Sequence, residues 1–229
     1  QRSGVPVPVA YRRAVRDALA KASPKKLLTL TPDNPTARQL LDALVDLYFP
    51  YRLGYPLPRP YPSLVRLTRD LPLRFGPAET LATLEDRTYL ATHLIYVLSD
   101  FNRDALPAAL VPEVVRYLKQ AAAVYLKARD VETLGEVADS LKITGHGYAD
   151  PVMRKIVTLL LRTQNGDGSW GDHRAKTEYD RYHTTWTCFN GLLEFKFPQR
   201  GLVDLVIRKA WRKGYRAKLT LPECVSMER

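Results

Sequence analysis

Two cysteines in 229 residues, Cys188 and Cys224, are too few for a disulfide framework and form no CxxC pair. A single bridge between them stays open, since nothing in the sequence demands it. No stretch approaches the roughly 18 uninterrupted apolar residues of a membrane-spanning helix, so no span is expected. Period-two alternation is nearly absent, which argues against a strand-dominated fold. No helix-turn-helix, zinc-finger or RNP-like pattern is present, so no specific nucleic-acid motif is read. Gln1 stands where a Met would begin a primary product. That fits a processed chain, secreted or periplasmic, as well as a trimmed one.

What is present is a hydrophobic fraction of 45%, enough for a sizeable core and too much for a disordered chain. Thirty-five Lys and Arg against 24 Asp and Glu give a formal charge of +11, a field that favours anionic partners such as nucleic acid, anionic lipid or acidic polysaccharide. The basic residues are dispersed. Their densest runs, around Arg12, Arg13 and Arg16 and around Arg208, Lys209, Arg212 and Lys213, sit on the two terminal helices and read first as solvated faces.

Apolar spacing predicts helices over about 9–22, 37–49, 77–84 (which 87–99 continues or restarts), 113–128, 130–144, 151–163, 179–195 and 202–211. Between the second and third lies a stretch with four prolines and three tyrosines from Tyr51 to Ser63, expected to pack as an irregular loop. It divides the chain into 1–62, N-terminal helices and loop packed on the core, and 63–229, the main helical domain. Many helices joined by short turns imply an all-α fold of stacked helical hairpins.

At 156–171 an apolar helix ends in Gln164 and runs into Asn165, Gly166, Asp167, Gly168, Ser169, Trp170 and Gly171. This segment resembles the QW repeat of the α/α toroids of terpene cyclases and prenyltransferases. The resemblance implies a partial α/α toroid, covering about 150–195. Gln164 would bond the free carbonyls of its helix end, Gly166 and Gly168 would supply positive φ, and Trp170 would tie successive hairpins together. Similar turns occur in other α/α-barrel proteins, including polysaccharide-degrading enzymes, so the motif speaks for fold more than for reaction. Neither a DxDD acid cluster nor the prenyltransferase zinc triad of Asp, Cys and His has a matching motif here.

Alternate helices of a toroid line its cavity, and three helices carry polar stripes richer than a surface needs. Tyr89, His93, Tyr96 and Asp100 form one face; Glu132, Glu136 and Asp139 form another, opposite Leu134, Val137 and Leu141; Asp180, His183, Thr187 and Glu194 form a third, opposite Trp186, Phe189 and Leu193. His146 occupies a Gly-flanked loop at the end of the second of these helices, and His173 reads as exposed.

His93, His183 and His146 are therefore candidate ligands for a divalent transition metal, Zn, Cu or Fe. Glu136, Asp139, Asp100, Tyr96 and Tyr182 are candidate catalytic groups beside it. The favoured reading is a metal-dependent enzyme, oxidative or hydrolytic, with His93 and His183 in one cavity. A metal-free lyase or hydrolase on an anionic glycan uses the same residues, with Arg181 neutralising a uronate. A helical-repeat scaffold that binds a peptide uses only the concave surface.

Overall fold

The computed structural model describes residues 36–52, 60–70, 81–172 and 177–193, with the isolated residues 9, 10, 13, 14, 17 and 57. The helix expected at 202–211, His173, Glu194 and Cys224 lie outside the described residues, as does most of the helix expected at 9–22. Among the described residues the fold is all-α: α1 (Ala37–Arg52), α2 (Tyr61–Asp70), α3 (Leu81–Leu98), α4 (Pro112–Ala128), α5 (Val131–Ile143), α6 (Pro151–Arg162) and α7 (Glu178–Leu192). None of these helices is long and apolar enough to cross a membrane.

One expectation needs correction at its ends: the proline-rich stretch is helical where α1 runs through Pro50 to Arg52 and where α2 begins at Tyr61, while 53–56 and 58–59 lie outside the described residues. Tyr61 is held there by its buried hydroxyl, which donates to the Leu44 carbonyl at 2.6 Å, and by its ring stacked on Tyr51. Of the two alternatives at 77–99, the helix continues: α3 is unbroken from Leu81 to Leu98.

Local chemistry explains the ends around the centre of the fold. Arg129 closes α4 in the left-handed region, and Asp130 opens α5 by accepting from the Thr133 backbone N–H at 3.1 Å, so two residues suffice to turn the chain. Asp150 caps α6 through the Val152 N–H, with Pro151 next, and Thr177 caps α7 through the Asp180 N–H. Each helix from α3 to α5 touches both its successor and the helix after that, and α6 touches α7. Alternate helices α1, α3, α5 and α7 thus follow one another in contact, with α4 on α6 behind them. One apolar core runs through them from Leu40 to Cys188.

At the middle lies α5, ten of whose thirteen residues are buried. Its closest neighbour is α7, and small residues set that approach. A Cβ on Gly135 would lie 2.6 Å from the Thr187 backbone, and one on Gly191 would lie 2.9 Å from the Gly135 carbonyl oxygen. Backbone meets backbone here. As a result α7 packs inward through Thr184, Thr187 and Cys188, and the Trp186, Phe189 and Leu193 side expected to be apolar and covered is the exposed one.

The QW-like turn ties α6 to α7, by different bonds from those expected. Gln164 Nε2 donates to the Gly168 carbonyl within the turn at 2.9 Å, and the Leu160 carbonyl, in the last turn of α6, takes the Trp170 indole N–H at 2.7 Å. The Trp170 backbone N–H donates to Thr185 Oγ1 and its carbonyl accepts from the same hydroxyl. Positive φ falls at Gly168 and Gly171 and not at Gly166.

Gly135→Ala is expected to lower unfolding free energy by about 1–3 kcal/mol, because backbone cannot yield as a side-chain tip does. Trp170→Ala should lose about 3–5 kcal/mol, since a buried ring and its hydrogen bond go together. Urea denaturation of the two variants measures both, and near-neutral values would mean that neither contact ties α7 down.

Candidate functional site

Because α5 is buried nearly all round, its carboxylates cannot be an ordinary solvated stripe. Glu132, Glu136 and Asp139 recur at i, i+4 and i+7 and meet α3 on one side and α7 on the other. A cleft of about 310 Å³ opens between these helices, lined by His93 and Tyr96 of α3, Phe101 and Asn102 of the following turn, Glu136 and Asp139, and His183, Trp186, Thr187 and Asn190 of α7. His93 and His183, ninety positions apart, thus border one cavity with two carboxylates between them.

Glu132 is the ionised member of the stripe. His183 Nδ1 lies 2.9 Å from its Oε1, and Thr184 Oγ1 donates to Oε2 at 2.9 Å. The His183 hydrogen bond holds the Glu132 carboxyl below the ordinary carboxylate range, and the same bond raises the His183 imidazole. Tyr179 stacks on the imidazole at 4.5 Å.

Glu136, one turn on, is the opposite case. It is 4% exposed, and burial pushes its carboxyl above the ordinary range, against the opposing pull of His93 and of the Thr92 hydrogen bond. Thr92 Oγ1 lies 2.8 Å from Glu136 Oε2 and 3.0 Å from the Tyr89 carbonyl, and a hydroxyl has one hydrogen for two acceptors. His93 Nδ1 lies 2.8 Å from the same Tyr89 carbonyl and 3.9 Å from Glu136 Oε2.

Asp139 is 1% exposed, and burial raises its carboxyl too. Asn102 Nδ2 donates to its Oδ2 at 2.7 Å. Burial, and then the charges of Glu136 and Asp139, raise the Tyr96 phenol.

Other candidates lie elsewhere. Asp100 was expected to continue the His93 face, but α3 stops at Leu98 and Asp100, Phe101 and Asn102 all adopt positive φ (57°, 52° and 64°). That turns Asp100 away to a bidentate pair with Arg52 at 2.6 and 3.1 Å, joined by Arg103 and the Tyr48 hydroxyl. His146 sits beside Thr144 Oγ1, its imidazole lowered by burial and then by the charge of Lys119; it does not line the cleft. Tyr182 is 57% exposed with its edge against Tyr179. Cys188 is a buried free thiol whose Sγ–H donates to the Val131 carbonyl, and burial pushes it up to about 12.

Sequence reasoning missed Thr92, Asn102, Thr184 and Asn190. Three left-handed non-glycine residues in succession are strained, and they deliver Phe101 and Asn102 to the cleft. The only signal for this was an Asn just after a helix, a residue that tolerates positive φ.

As to metal ligation, both histidines have Nδ1 fixed by an acceptor, which leaves Nε2 as the ligating atom. Among the described residues, however, no group of three or more His, Cys, Asp or Glu is placed to hold a metal ion. Four basic residues, Arg129, Arg154, Lys155 and Arg162, line a separate groove with Thr158 and Leu159. Compared with family models, with curated proteins and with solved structures, the chain matches none.

The shifts have a pH consequence. Glu132, lowered on folding, stabilises above its unfolded pKa, and the effect is lost as pH falls. His183, raised on folding, stabilises below its unfolded pKa, and the effect is lost as pH rises through the folded value. Their pair should therefore contribute most at roughly pH 5 to 6.5. Glu136, raised on folding, has the His183 sign: its favourable contribution belongs to acid and is lost as pH rises. Glu136→Gln should then raise the melting temperature at pH 7 and lose that advantage near pH 4, as thermal melts across the range would record.

Proposed function

We propose that this cleft is the active site of an enzyme that works by proton transfer, hydrolytic or eliminative in outcome. The single observation that carries the reading is the pair of carboxyls one helical turn apart in opposite environments, Glu132 salt-bridged to His183 and Glu136 buried beside Thr92 and His93. Two titratable groups pushed apart in pKa supply an acid and a base at one pH. Glu136 is the proton carrier: as an acid it gives its proton to a leaving group, and as a carboxylate it takes one back. His93 borders the same cleft, its Nδ1 3.9 Å from Glu136 Oε2, and the Glu132–His183 pair fixes the opposite wall.

The metal-dependent form of this reading is favoured by one observation, the Nδ1-anchored imidazoles with Nε2 left over. The described residues do not complete a donor set, so no step is drawn through a metal. An α/α-toroid architecture is part of the same proposal, supported by alternate helices α3, α5 and α7 lining one cleft. A polyanionic partner, suggested by the net charge, finds its complement in the Arg129/Arg154/Arg162 groove instead of between the carboxylates.

A panel of chromogenic esters, amides and glycosides, with uronate polymers followed by absorbance of the unsaturated product, tests this. The expected result is turnover of at least one class that survives EDTA and falls about 10²- to 10⁴-fold in Glu136→Gln. Turnover unchanged in Glu136→Gln contradicts the assignment. Turnover abolished by EDTA, in protein whose elemental analysis finds a metal, favours the metal form.

A further inference from the structure

The Asp139 end of the cleft is rich in acceptors and poor in donors. Asp139 Oδ1 and Asn102 Oδ1 are both buried without a hydrogen-bond partner, although both residues line the cleft. Lys142 Nζ lies 3.9 Å from Asp139 Oδ1, but it is directed to the Asn190 and Leu193 carbonyls at the end of α7. The Tyr96 hydroxyl interacts with the Asp139 carboxyl, but its single hydrogen leaves Asp139 Oδ1 and Asn102 Oδ1 without a partner.

The surroundings select the kind of donor. Tyr96, Phe101 and Trp186 line the same cleft, and Trp186 is 61% exposed, a large ring offered to solvent at a polar site. The left-handed φ of 52° at Phe101 holds its ring against Tyr96, with centroids 6.2 Å apart. A buried carboxylate with orphan acceptors beside aromatic faces suits a group that is cationic and carries several hydrogens. A carboxylate or phosphate would bring further acceptors to oxygens that lack donors. An alcohol would satisfy one of the two orphan acceptors and leave the other. A metal ion would meet one carboxylate and one amide oxygen, with aromatic carbon where further ligands should stand.

We propose that the Asp139–Asn102 end of the cleft, walled by Tyr96, Phe101 and Trp186, is a subsite for an organic ammonium or guanidinium group of the ligand. This rests on the cleft being the substrate site and adds the chemical class of the group it recognises.

The test uses the full chain and three probes of matched size, n-butylammonium, n-butanol and butyrate, followed by tryptophan fluorescence and by the Trp186 indole N–H signal in NMR spectra. Saturable binding of butylammonium in the millimolar range is expected, with butanol and butyrate at least about tenfold weaker. Asp139→Asn and Asn102→Ala should each weaken butylammonium binding several-fold. Either variant serves alone if the other loses its helical circular dichroism. Equal binding of butanol, binding unchanged in a folded variant, or no saturation by butylammonium overturns the proposal. Displacement of butylammonium by stoichiometric zinc or calcium also overturns it, in favour of a metal subsite. A failure here leaves the Glu136 dependence of turnover untouched, so the two readings fail separately.

Discussion

The contact of Gly135 with α7 is the constraint on which the rest depends. Side chains elsewhere keep helices 8–10 Å apart, whereas two glycines facing each other let α5 and α7 meet backbone to backbone. That proximity leaves room only for Thr184, Thr187 and Cys188 on the inward side of α7, so its large residues turn outward and its histidine reaches Glu132. Apolar burial supplies most of the stability of such a domain. Here the most important crossing is made by small and polar residues instead.

Its electrostatic consequence is the split between two glutamates one turn apart. Glu132 lies where His183 and Thr184 of α7 can reach it, so its charge is compensated. Glu136 lies deeper, against Thr92 and His93 of α3, where burial makes charge costly and pushes its carboxyl above the ordinary range. The same helix thus holds two carboxyls shifted in opposite directions without any difference in residue type. A site of this kind opposes the stability of the fold that carries it.

The all-α class, most helix positions and the capping roles of Asp130 and Asp150 were legible because periodicity and cap chemistry act over a few residues. The convergence of His93, His183, Glu136 and Asp139 was legible as three polar stripes on largely apolar helices. The α7 orientation was not, because hydrophobicity places Trp186 and Phe189 inside and only the glycine contact, between residues 56 positions apart, forces them out. Asp100 misled for a different reason: its i+11 spacing continues a helix that in fact ends at Leu98, and three left-handed residues then redirect it to Arg52. Asn102 could not be found from spacing at all, since it reaches Asp139 only through that turn.

The central claim is that packing of α5 between α3 and α7 shifts the Glu132 and Glu136 carboxyls in opposite directions. The most direct measurement is a pH titration of the glutamate side-chain carboxyl ¹³C signals, with the two assigned through Glu132→Gln and Glu136→Gln. The account predicts that Glu132 titrates below the ordinary glutamate range and Glu136 above it. Two signals that titrate together within the ordinary range would contradict it.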